Sequence, residues 1–330
     1  MSDDQFLKVR GLKKYFDAGR PGLLFGSRTP RYVHAVDGVD FTLRRSEVLA
    51  LVGESGCGKS TLSLLLMGLE DPTEGNIIFE GRDITHLQDS ERKELRRKIQ
   101  MVFQDPYESL NPTQTIEEIV TEPLIVHNLG TEKLERDGRV KKALEDAGLK
   151  PAEVYLNRFP HELSGGQRQR VVIAAALVLE PEILLADEPV SMLDVSIRAE
   201  IINLLAELRI TRQIAVIFIT HDLGSVGFFA DRVAVMYLGR IVEIGTMLEV
   251  LEKPQHPYTK ALLSVIPVPN PRMRRERIIL QGETPNPIDL PTGCRFHPRC
   301  PSAMPTCKVS DPPFEVFTKT HQAACLLLVK

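Results

Sequence analysis

The sequence lacks a long hydrophobic run, an excess of positive charge and an apolar N-terminal leader. Its longest apolar run, Val171 to Leu179, has nine residues, whereas a membrane-spanning helix needs about 20. The net charge is −3, without the basic surplus of nucleic-acid or anionic-membrane binders. The first ten residues, MSDDQFLKVR, are polar, and we expect no signal peptide. These absences predict a soluble chain whose membrane role, if it has one, depends on a partner.

Cysteine is also scarce, and its placement is uneven. Of five cysteines, Cys57 lies alone in a glycine-rich segment, and the others are Cys294, Cys300, Cys307 and Cys325. In a protein that is not secreted, clustered cysteines more often bind metal than form disulfides. Their C-x5-C-x6-C-x17-C spacing lacks the C-x2-C pairs of structural zinc sites. Four irregularly spaced thiolates can hold an iron–sulfur cluster as well as zinc, so the spacing leaves cluster, zinc and free thiols open.

The 330 residues suit a large domain with an appendage. Two continuous apolar runs, Ile183–Ala186 and Ile214–Thr220, flank a helical stretch at Ser196–Arg209. Buried strands that alternate with helices predict a parallel sheet covered on both faces. Further strands are expected at Phe6–Val9, Val39–Leu43, Val48–Val52, Asn76–Phe79 and Ile99–Phe103.

The middle of the chain is helical and the end is rich in proline. From Thr115 to Gly148 the pattern is helical, with interruptions expected near Pro123 and Gly130. We place a domain boundary near residue 255, so that residues 1–255 form a nucleotide-binding domain and 256–330 an extension. A helical subdomain is expected at about 105–180. Residues 17–31 are expected to form a surface loop, and the basic run at 272–277 a solvated linker.

A phosphate-binding loop follows the strand at Val48–Val52. Gly53-Glu-Ser-Gly-Cys-Gly-Lys-Ser60 matches G-x-x-x-x-G-K-[ST] at every fixed position. The glycines let backbone N–H groups cradle phosphates at a helix N-terminus. Lys59 can reach the β and γ phosphates, and Ser60 can bind Mg²⁺. The residues expected to bind nucleotide are Gly53, Glu54, Ser55, Gly56, Cys57, Gly58, Lys59, Ser60 and Thr61.

Two carboxylates end the apolar strand that begins at Ile183. Asp187 stands where a contact with Mg²⁺ is expected in a phosphate-loop protein. Glu188, one residue on, can orient or deprotonate the attacking water. Together with the phosphate loop, this strand predicts ATP hydrolysis.

Leu163-Ser-Gly-Gly-Gln167 resembles the signature motif of ABC ATPases. A glycine-rich turn at a helix N-terminus is a second anion-binding nest. The resemblance implies that Leu163, Ser164, Gly165, Gly166 and Gln167 close on the γ-phosphate held by an opposite subunit. It also implies a RecA-like parallel core, an antiparallel β subdomain, a helical signature subdomain and a dimer of two ATPases.

The remaining ABC elements follow in family order. Gln104 resembles the Q-loop glutamine, which contacts Mg²⁺ and couples to the membrane subunits, and His221 resembles the switch histidine. Ser191-Met-Leu-Asp194 resembles the D-loop, in which Asp194 is the acidic residue; the family more often has alanine at Met192. The resemblance implies an aromatic side chain that stacks on adenine; we expect Tyr15 there, with Tyr32 as the competitor.

Several segments narrow the resemblance to the ATPases of bacterial dipeptide and oligopeptide importers. They are Phe103–Pro112, Phe159–Arg170, His256–Leu263 and Pro291–Pro301. The insertion Gly22–Gly26 leans toward the F-type rather than the D-type subunit of such importers. The resemblance implies ATP and Mg²⁺ and a [4Fe–4S] cluster at Cys294, Cys300, Cys307 and Cys325. It further implies a heterodimeric ATPase partner, two permease subunits, an extracytoplasmic binding protein and a place on the cytoplasmic face of the cell membrane.

The expected function is therefore peptide import driven by ATP hydrolysis. A nickel or glutathione importer shares most of these features and stays as the alternative. A soluble ABC ATPase of DNA repair or translation is disfavoured, because the chain has one cassette, no heptad insertion and no basic excess. A subunit with a dead site is disfavoured because Lys59 and Glu188 are present, and the importer-like C-terminal segment argues against an exporter.

Overall fold

The fold is built on two β-sheets flanked by helices. In the computed structural model of the chain, the described residues are 6–19, 31–266 and 277–329. The insertion Gly22–Gly26, on which the F-type preference rests, lies outside the described residues, as does most of the basic run at 272–277.

The smaller sheet has four antiparallel strands and forms the first part of the chain. Its strands are β1 (Leu7–Asp17), β2 (Tyr32–Leu43), β4 (Glu74–Phe79) and β5 (Arg82–Asp83). Their order is β2-β1-β4-β5. Register shifts interrupt the pairing of β1 with β2, including one between Lys14 and Tyr15, and such bulges re-aim the side chains that follow them.

The larger sheet has eight strands and includes a parallel part, as the sequence predicts. Its strands are β3 (Val48–Val52), β6 (Ile99–Val102), β7 (Ile183–Asp187), β8 (Ala215–Thr220), β9 (Arg232–Tyr237), β10 (Arg240–Thr246), β11 (Phe314–Val316) and β12 (Gln322–Ala324). They lie in the order β11-β12-β10-β9-β3-β8-β7-β6. Pairing from β9 to β6 is parallel, and β10, β12 and β11 add antiparallel strands.

Helices cover the larger sheet and form a separate cluster before β7. They are α1 (Lys59–Leu66), α2 (Asp89–Lys98), α3 (Pro106–Ser109), α4 (Ile116–Val126), α5 (Lys133–Asp146), α6 (Glu153–Leu156), α7 (Gly165–Leu177), α8 (Val195–Thr211), α9 (Leu223–Val226), α10 (Met247–Glu252) and α11 (Pro257–Ser264). Short 3₁₀ turns occupy Pro160–Glu162 and Pro305–Lys308. Within the described ranges, no helix combines the length and the apolarity that a membrane crossing requires.

The helical middle region differs from expectation at one point. Thr115 caps α4 by accepting a hydrogen bond from the Glu118 N–H. The helix then runs through Pro123 to Val126, so the interruption expected near Pro123 is wrong. The chain leaves the helix only after Val126 and turns at Gly130, whose φ of 69° suits glycine.

Alternate residues of β3 explain why the core has two halves. Val48, Ala50 and Val52 pack into one apolar cluster with α7 and α8. Leu49 and Leu51 point to the opposite face and pack into a second cluster with α1 and the smaller sheet. Because side chains alternate along a strand, an all-apolar strand buries both of its faces. The loops at the carboxyl ends of such strands are thereby held on a rigid frame.

Candidate nucleotide site

The phosphate loop leaves β3 and enters α1 through backbone shapes that require glycine. Gly58 has a φ of 106°, and a β-carbon there would lie 2.0 Å from the Ala35 carbonyl oxygen. A β-carbon on Gly53 would lie 2.2 Å from the Met236 carbonyl oxygen. At both positions a side chain would collide with a backbone oxygen, so only glycine fits. The loop is therefore tightly wedged between β2 and β9.

Lys59 places a buried cation in the loop. Its side chain is 5% exposed, and its ammonium donates to the carbonyls of Gly53 at 2.8 Å and Glu54 at 3.0 Å. Cys57 is buried and burial raises its pKa, which suits its expected role as a small filling side chain. The cation and the N-terminus of α1 together form an anion site.

The acidic residues lie where β7 ends. Asp187 is 8% exposed, and burial raises its pKa against the opposing effect of a hydrogen bond from Ser60. Glu188 follows with a φ of 45°, a left-handed conformation that is uncommon for a residue with a side chain. Its N–H donates to the Ile219 carbonyl at 3.0 Å, which fixes the turn against β8.

Two side chains meet at the Glu188 carboxylate. Gln104 Nε2 donates to Glu188 Oε2 at 3.3 Å, and His221 Nδ1 lies 3.2 Å from Glu188 Oε1. These residues follow the parallel neighbours β6, β7 and β8, and the carboxyl ends of parallel strands meet at one edge of a sheet. The structure thus brings together the three residues that the sequence marks as catalytic candidates.

A cleft of about 760 Å³ connects these groups. It is lined by Phe16, Val33, Ala35, Glu54, Ser55, Gly56, Gly58, Lys59, Ser60, Thr61, Gln104, Asp187, Glu188, His221 and Pro287. The phosphate loop and the acidic residues form its polar part. Phe16, Val33 and Pro287 form an apolar part, which suits a flat base.

The aromatic expectation needs correction, because Phe16 rather than Tyr15 lines the cleft. The Tyr15 hydroxyl donates to Asp37 Oδ1, and its ring lies 4.3 Å from the ring of His34. Burial, followed by this hydrogen bond, raises the pKa of Tyr15. Successive residues of a strand point to opposite sides, so a one-residue difference exchanges the two aromatic rings. Tyr32, 43% exposed, does not line the cleft either.

The signature turn is ordered but lies away from the cleft of its own chain. Ser164 caps α7 by accepting a hydrogen bond from the Gln167 N–H at 3.3 Å. Leu163 is buried, and a β-carbon on Gly166 would lie 2.7 Å from Ile197 Cγ2. Among the described residues that line the cleft, none belongs to 163–167. The turn is therefore a second preformed anion-binding nest, and it takes no part in the nucleotide cleft of its own chain.

The D-loop leads from β7 into α8. Asp194 is the N-cap residue of α8. Arg198 donates to the carbonyls of Leu193 at 2.7 Å and Ser191 at 3.3 Å, so the loop is held by the helix that it precedes. Met192, the departure from the family pattern, is 58% exposed.

The predicted metal site at the four C-terminal cysteines is wrong. All four are free thiols, and no group of three or more His, Cys, Asp or Glu side chains in the described parts of the chain could hold a metal ion. Cys294 and Cys307 belong to the main apolar cluster and Cys300 packs against it. Burial raises the pKa of Cys294 to about 11 and also raises those of Cys300 and Cys325. They pack as small apolar side chains, and thiolate is the form that binds metal.

Comparisons with known proteins agree with this geometry. Residues 36–191 match the family model "ABC transporter". Residues 242–307 match "Oligopeptide/dipeptide transporter, C-terminal region". The oligopeptide transport ATP-binding protein AppF of Bacillus subtilis is 49% identical over 99% of this chain and 98% of its own length. The chain belongs to the ATP-binding subunits of ABC-type oligopeptide and dipeptide transporters.

Further relatives support this membership. The dipeptide transport ATP-binding protein DppF of Haemophilus influenzae is 49% identical over 97% of this chain and 95% of its own length. Among solved structures, the ATP-binding cassette MJ0796, a dimer in a post-hydrolysis state bound to ADP and Pi, shares a TM-score of 0.64 and 31% identity. That match covers 73% of this chain and 98% of the other. The chain is thus an ABC ATPase with the cassette fold.

Sequence reasoning missed part of the cleft. Phe16, Val33 and Pro287 carry no motif, and Pro287 is separated from the phosphate loop by more than two hundred residues. The two adjacent aromatic residues at positions 15 and 16 of β1 indicate that an aromatic ring is available there to stack on a base. Phe16 is the one of the two that lines the cleft, and no local pattern reveals this choice.

Proposed function

We propose that this chain hydrolyses ATP to drive the import of dipeptides or oligopeptides through a membrane transporter. The observation that carries the proposal is the Glu188 carboxylate, held between Gln104 and His221 at the edge of the phosphate-loop cleft. The peptide class is supported by the match of residues 242–307 to the oligopeptide/dipeptide transporter region. It is also supported by relatives whose names specify oligopeptide or dipeptide transport.

ATP binding follows from the chain's own groups. The α1 N-terminus, the glycine backbone and Lys59 favour the β and γ phosphates through fixed partial and full positive charge. Phe16 and Val33 offer an apolar surface to the base. A base–aromatic contact adds affinity with little sequence or base selectivity, so the phosphates dominate binding.

The residues at the phosphate end suit Mg²⁺. Mg²⁺ sites commonly use one or two carboxylates with substrate phosphates and water. Here the buried carboxylate of Asp187 receives a hydrogen bond from Ser60, and a nearby cation would offset the cost of keeping that carboxylate charged. Ser60, Asp187 and the Oε1 of Gln104 would hold the ion, because Gln104 Nε2 already donates to Glu188. When bound, the ion neutralises charge that develops on the phosphate oxygens.

Hydrolysis requires a base and a fixed water. Glu188 Oε accepts the proton of a water whose oxygen attacks the γ-phosphorus, while the bond between that phosphorus and the β–γ bridging oxygen breaks. ADP and inorganic phosphate leave, and the proton is released later from Glu188. Gln104 and His221 hold the carboxylate, so its orientation is set before the water arrives.

The exposed signature turn supports a dimer. Ser164 to Gln167 form an anion nest remote from the chain's own cleft, and a second ATPase would complete both sites. We propose a heterodimer that works beneath two permease subunits on the cytoplasmic side of the membrane, supplied by an extracytoplasmic binding protein. We also propose residues 1–255 as the ATPase unit, with its helical part at about 105–180, and 256–330 as its extension.

Replacing Glu188 with glutamine tests the catalytic assignment. Glu188→Gln keeps the size of the side chain but removes the base, so ATP binding should persist while turnover falls at least about 100-fold. Glu180→Gln is the matched control, since Glu180 shares a left-handed backbone with a φ of 53° and lies on the surface. Undiminished turnover in Glu188→Gln would exclude Glu188 as the base.

Transport assays test the substrate class. Cells with the Glu188→Gln chain should lose uptake of labelled dipeptides or oligopeptides, whereas uptake of nickel and glutathione should persist. Loss of nickel or glutathione uptake with intact peptide uptake would contradict the peptide assignment. The ATPase assignment would stand in that case, because it is measured separately.

A further inference from the structure

The C-terminal extension reaches the nucleotide cleft of its own chain. The His34 N–H donates to the Pro287 carbonyl at 3.0 Å, and Pro287 itself lines the cleft. A second contact lies at the phosphate loop, where Thr284 and Arg299 bind the side chain of Glu54. The extension thus contacts both the base end and the phosphate end of the cleft.

Glu54, the second residue of the phosphate loop, makes four hydrogen bonds with distant residues. Arg299 donates through Nη1 to Oε2 at 2.6 Å and through Nη2 to Oε1 at 3.2 Å, a bidentate arrangement that fixes the plane of the carboxylate. Thr284 donates to Oε2 at 2.7 Å. The Glu54 N–H donates to the hydroxyl of Tyr258 at 2.9 Å, so backbone and side chain are both fixed.

The same residue is linked to the phosphate-binding cation. The Glu54 carbonyl accepts a hydrogen bond from the Lys59 ammonium at 3.0 Å. A shift of the Glu54 backbone would therefore move a direct partner of Lys59. The two side chains of the ion pair are only 9% and 29% exposed, for Arg299 and Glu54 respectively. Limited exposure makes such a pair less screened than one on the surface.

The pKa shifts of Glu54 and Arg299 agree with an ion pair between them. Burial acts to raise the pKa of Glu54, yet hydrogen bonds from Arg299 and Thr284 lower it overall. Burial acts to lower the pKa of Arg299, and its bonds to Glu54 raise it overall. Both groups are thus charged at neutral pH, and each is stabilised by the other.

We propose that Arg299 is a positioning residue for ATP binding, which holds the phosphate loop in its nucleotide-binding shape through the carboxylate of Glu54. This inference rests on the proposed nucleotide site and assigns to the C-terminal extension a part in it. Arg299 acts through Glu54 and does not itself line the cleft.

The extension has other anchors, so a change at Arg299 leaves it in place. His321 Nε2 lies 2.7 Å from Oε1 of the fully buried Glu243. Phe296 packs among the aromatic rings of Tyr237 and Tyr258, and Arg295 pairs with Asp37. The Arg299–Glu54 pair is therefore separable from the attachment of the extension, which makes its role at the loop testable.

The experiment measures ATP affinity of the full-length chain by titration calorimetry. All variants carry Glu188→Gln, so that ATP is not consumed during the titration. The variants are Arg299→Ala, Arg299→Lys, Glu54→Gln and the Arg299→Ala/Glu54→Gln double variant. Asp289→Asn is the matched control. Asp289 lies in the same extension, and its substitution breaks an exposed ion pair with Arg31 of the ATPase unit. Thermal unfolding without nucleotide reports whether each variant is folded.

We expect Arg299→Ala to raise the Kd for ATP about tenfold or more, since it leaves the Glu54 carboxylate without its cation. Arg299→Lys should recover part of the affinity. The double variant should bind no more weakly than the weaker single variant, because both changes break one interaction. Asp289→Asn should leave the Kd unchanged.

Other results would overturn the inference. If Arg299→Ala binds ATP as the parent does while Lys59→Ala does not bind it, the nucleotide site stands and the positioning role fails. If the effects of Arg299→Ala and Glu54→Gln simply add, Arg299 does not act through Glu54. If the parent chain binds no ATP, the proposed function fails together with this inference.

Discussion

The parallel core and the C-terminal extension of this chain are held together in different ways. In the core, β3 pairs with β8 residue by residue from Val48 to Val52, and the strands are buried on both faces. Residues 277–329 contain two three-residue strands and one 3₁₀ turn. Much of the extension is fixed by side-chain pairs such as Arg295 with Asp37, 258 residues apart.

This difference shows which part of the nucleotide site depends on backbone contacts and which part depends on single side chains. The shape of the phosphate loop depends on backbone contacts of its glycines with Ala35 and Met236. Its link to the extension depends at Glu54 on the side chains of Arg299, Thr284 and Tyr258. Substitutions of the loop glycines should therefore disturb both the fold and ATP binding. Substitutions of the extension side chains that contact Glu54 should lower ATP affinity by degrees and leave the fold intact.

The largest effect is expected from Gly58→Ala in the core. A β-carbon there would lie 2.0 Å from the Ala35 carbonyl at a φ of 106°, so we expect loss of ATP binding and destabilisation by at least about 3 kcal/mol. Gly56→Ala is the control, because Gly56 also has a positive φ but has no atom within 4 Å of the β-carbon. It should cost about 1 kcal/mol. Urea unfolding and ATP titration measure both; equal costs for the two variants would contradict the close-contact argument.

An intermediate effect is expected where the core meets the extension, at His256. Its Nδ1 accepts the N–H of Tyr258, and burial lowers its pKa to about 3. The unfolded chain protonates this ring below about pH 6.5, so the stabilisation is complete above that pH and is lost as pH falls toward 3. Between pH 6.5 and 5 the loss should be about 2 kcal/mol.

Unfolding in urea across this pH range, compared with His256→Asn, measures that loss. Asparagine keeps a helix-capping acceptor but does not titrate, so the variant should show a shallower fall in stability. His86→Asn, at an exposed position, should keep the parent slope. A His256→Asn chain with the parent slope would show that other groups cause the acid sensitivity.

The smallest effect is expected at the base end of the cleft. Phe16→Ala should weaken ATP binding about tenfold, since it removes an aromatic surface for the base. Tyr15→Phe removes only the hydroxyl that donates to Asp37 and should change ATP affinity less than about twofold. Titration calorimetry distinguishes them. A larger loss of affinity in Tyr15→Phe than in Phe16→Ala would restore Tyr15 as the stacking residue.

Much of the site could be predicted because its residues lie in contiguous motifs. Gly53–Ser60, Leu163–Gln167 and the pair Asp187–Glu188 each have a spacing that follows from one local shape, a loop or turn at a helix start or a strand end. The predicted parallel strands Ile183–Ala186 and Ile214–Thr220 were confirmed within a residue or two. Strands β9 and β10 were not predicted, although β9 pairs with β3 in the centre of the sheet.

The errors occurred where neighbours far apart in sequence decide the outcome. The family resemblance implied a [4Fe–4S] cluster at the four late cysteines, yet Cys294 and Cys307 pack into the apolar core and form no metal-binding group in the described chain. Phe16 lines the cleft and Tyr15 donates to Asp37 instead, although the two aromatic residues are neighbours in the sequence. In both cases residue type alone is compatible with two environments, and packing selects one.

By itself, the sequence determined that this protein has a phosphate loop, a pair of carboxylates at the end of a buried strand and a glycine-rich turn at a helix start, because each needs only a few consecutive residues with fixed backbone preferences. The tertiary structure decided that Phe16 rather than Tyr15 lines the cleft and that the four late cysteines are free thiols, three of them buried and Cys300 partly buried. It also decided that Arg299 binds Glu54 across 245 residues. Such contacts are made only when separate segments fold together, since no local pattern encodes the position of a distant partner.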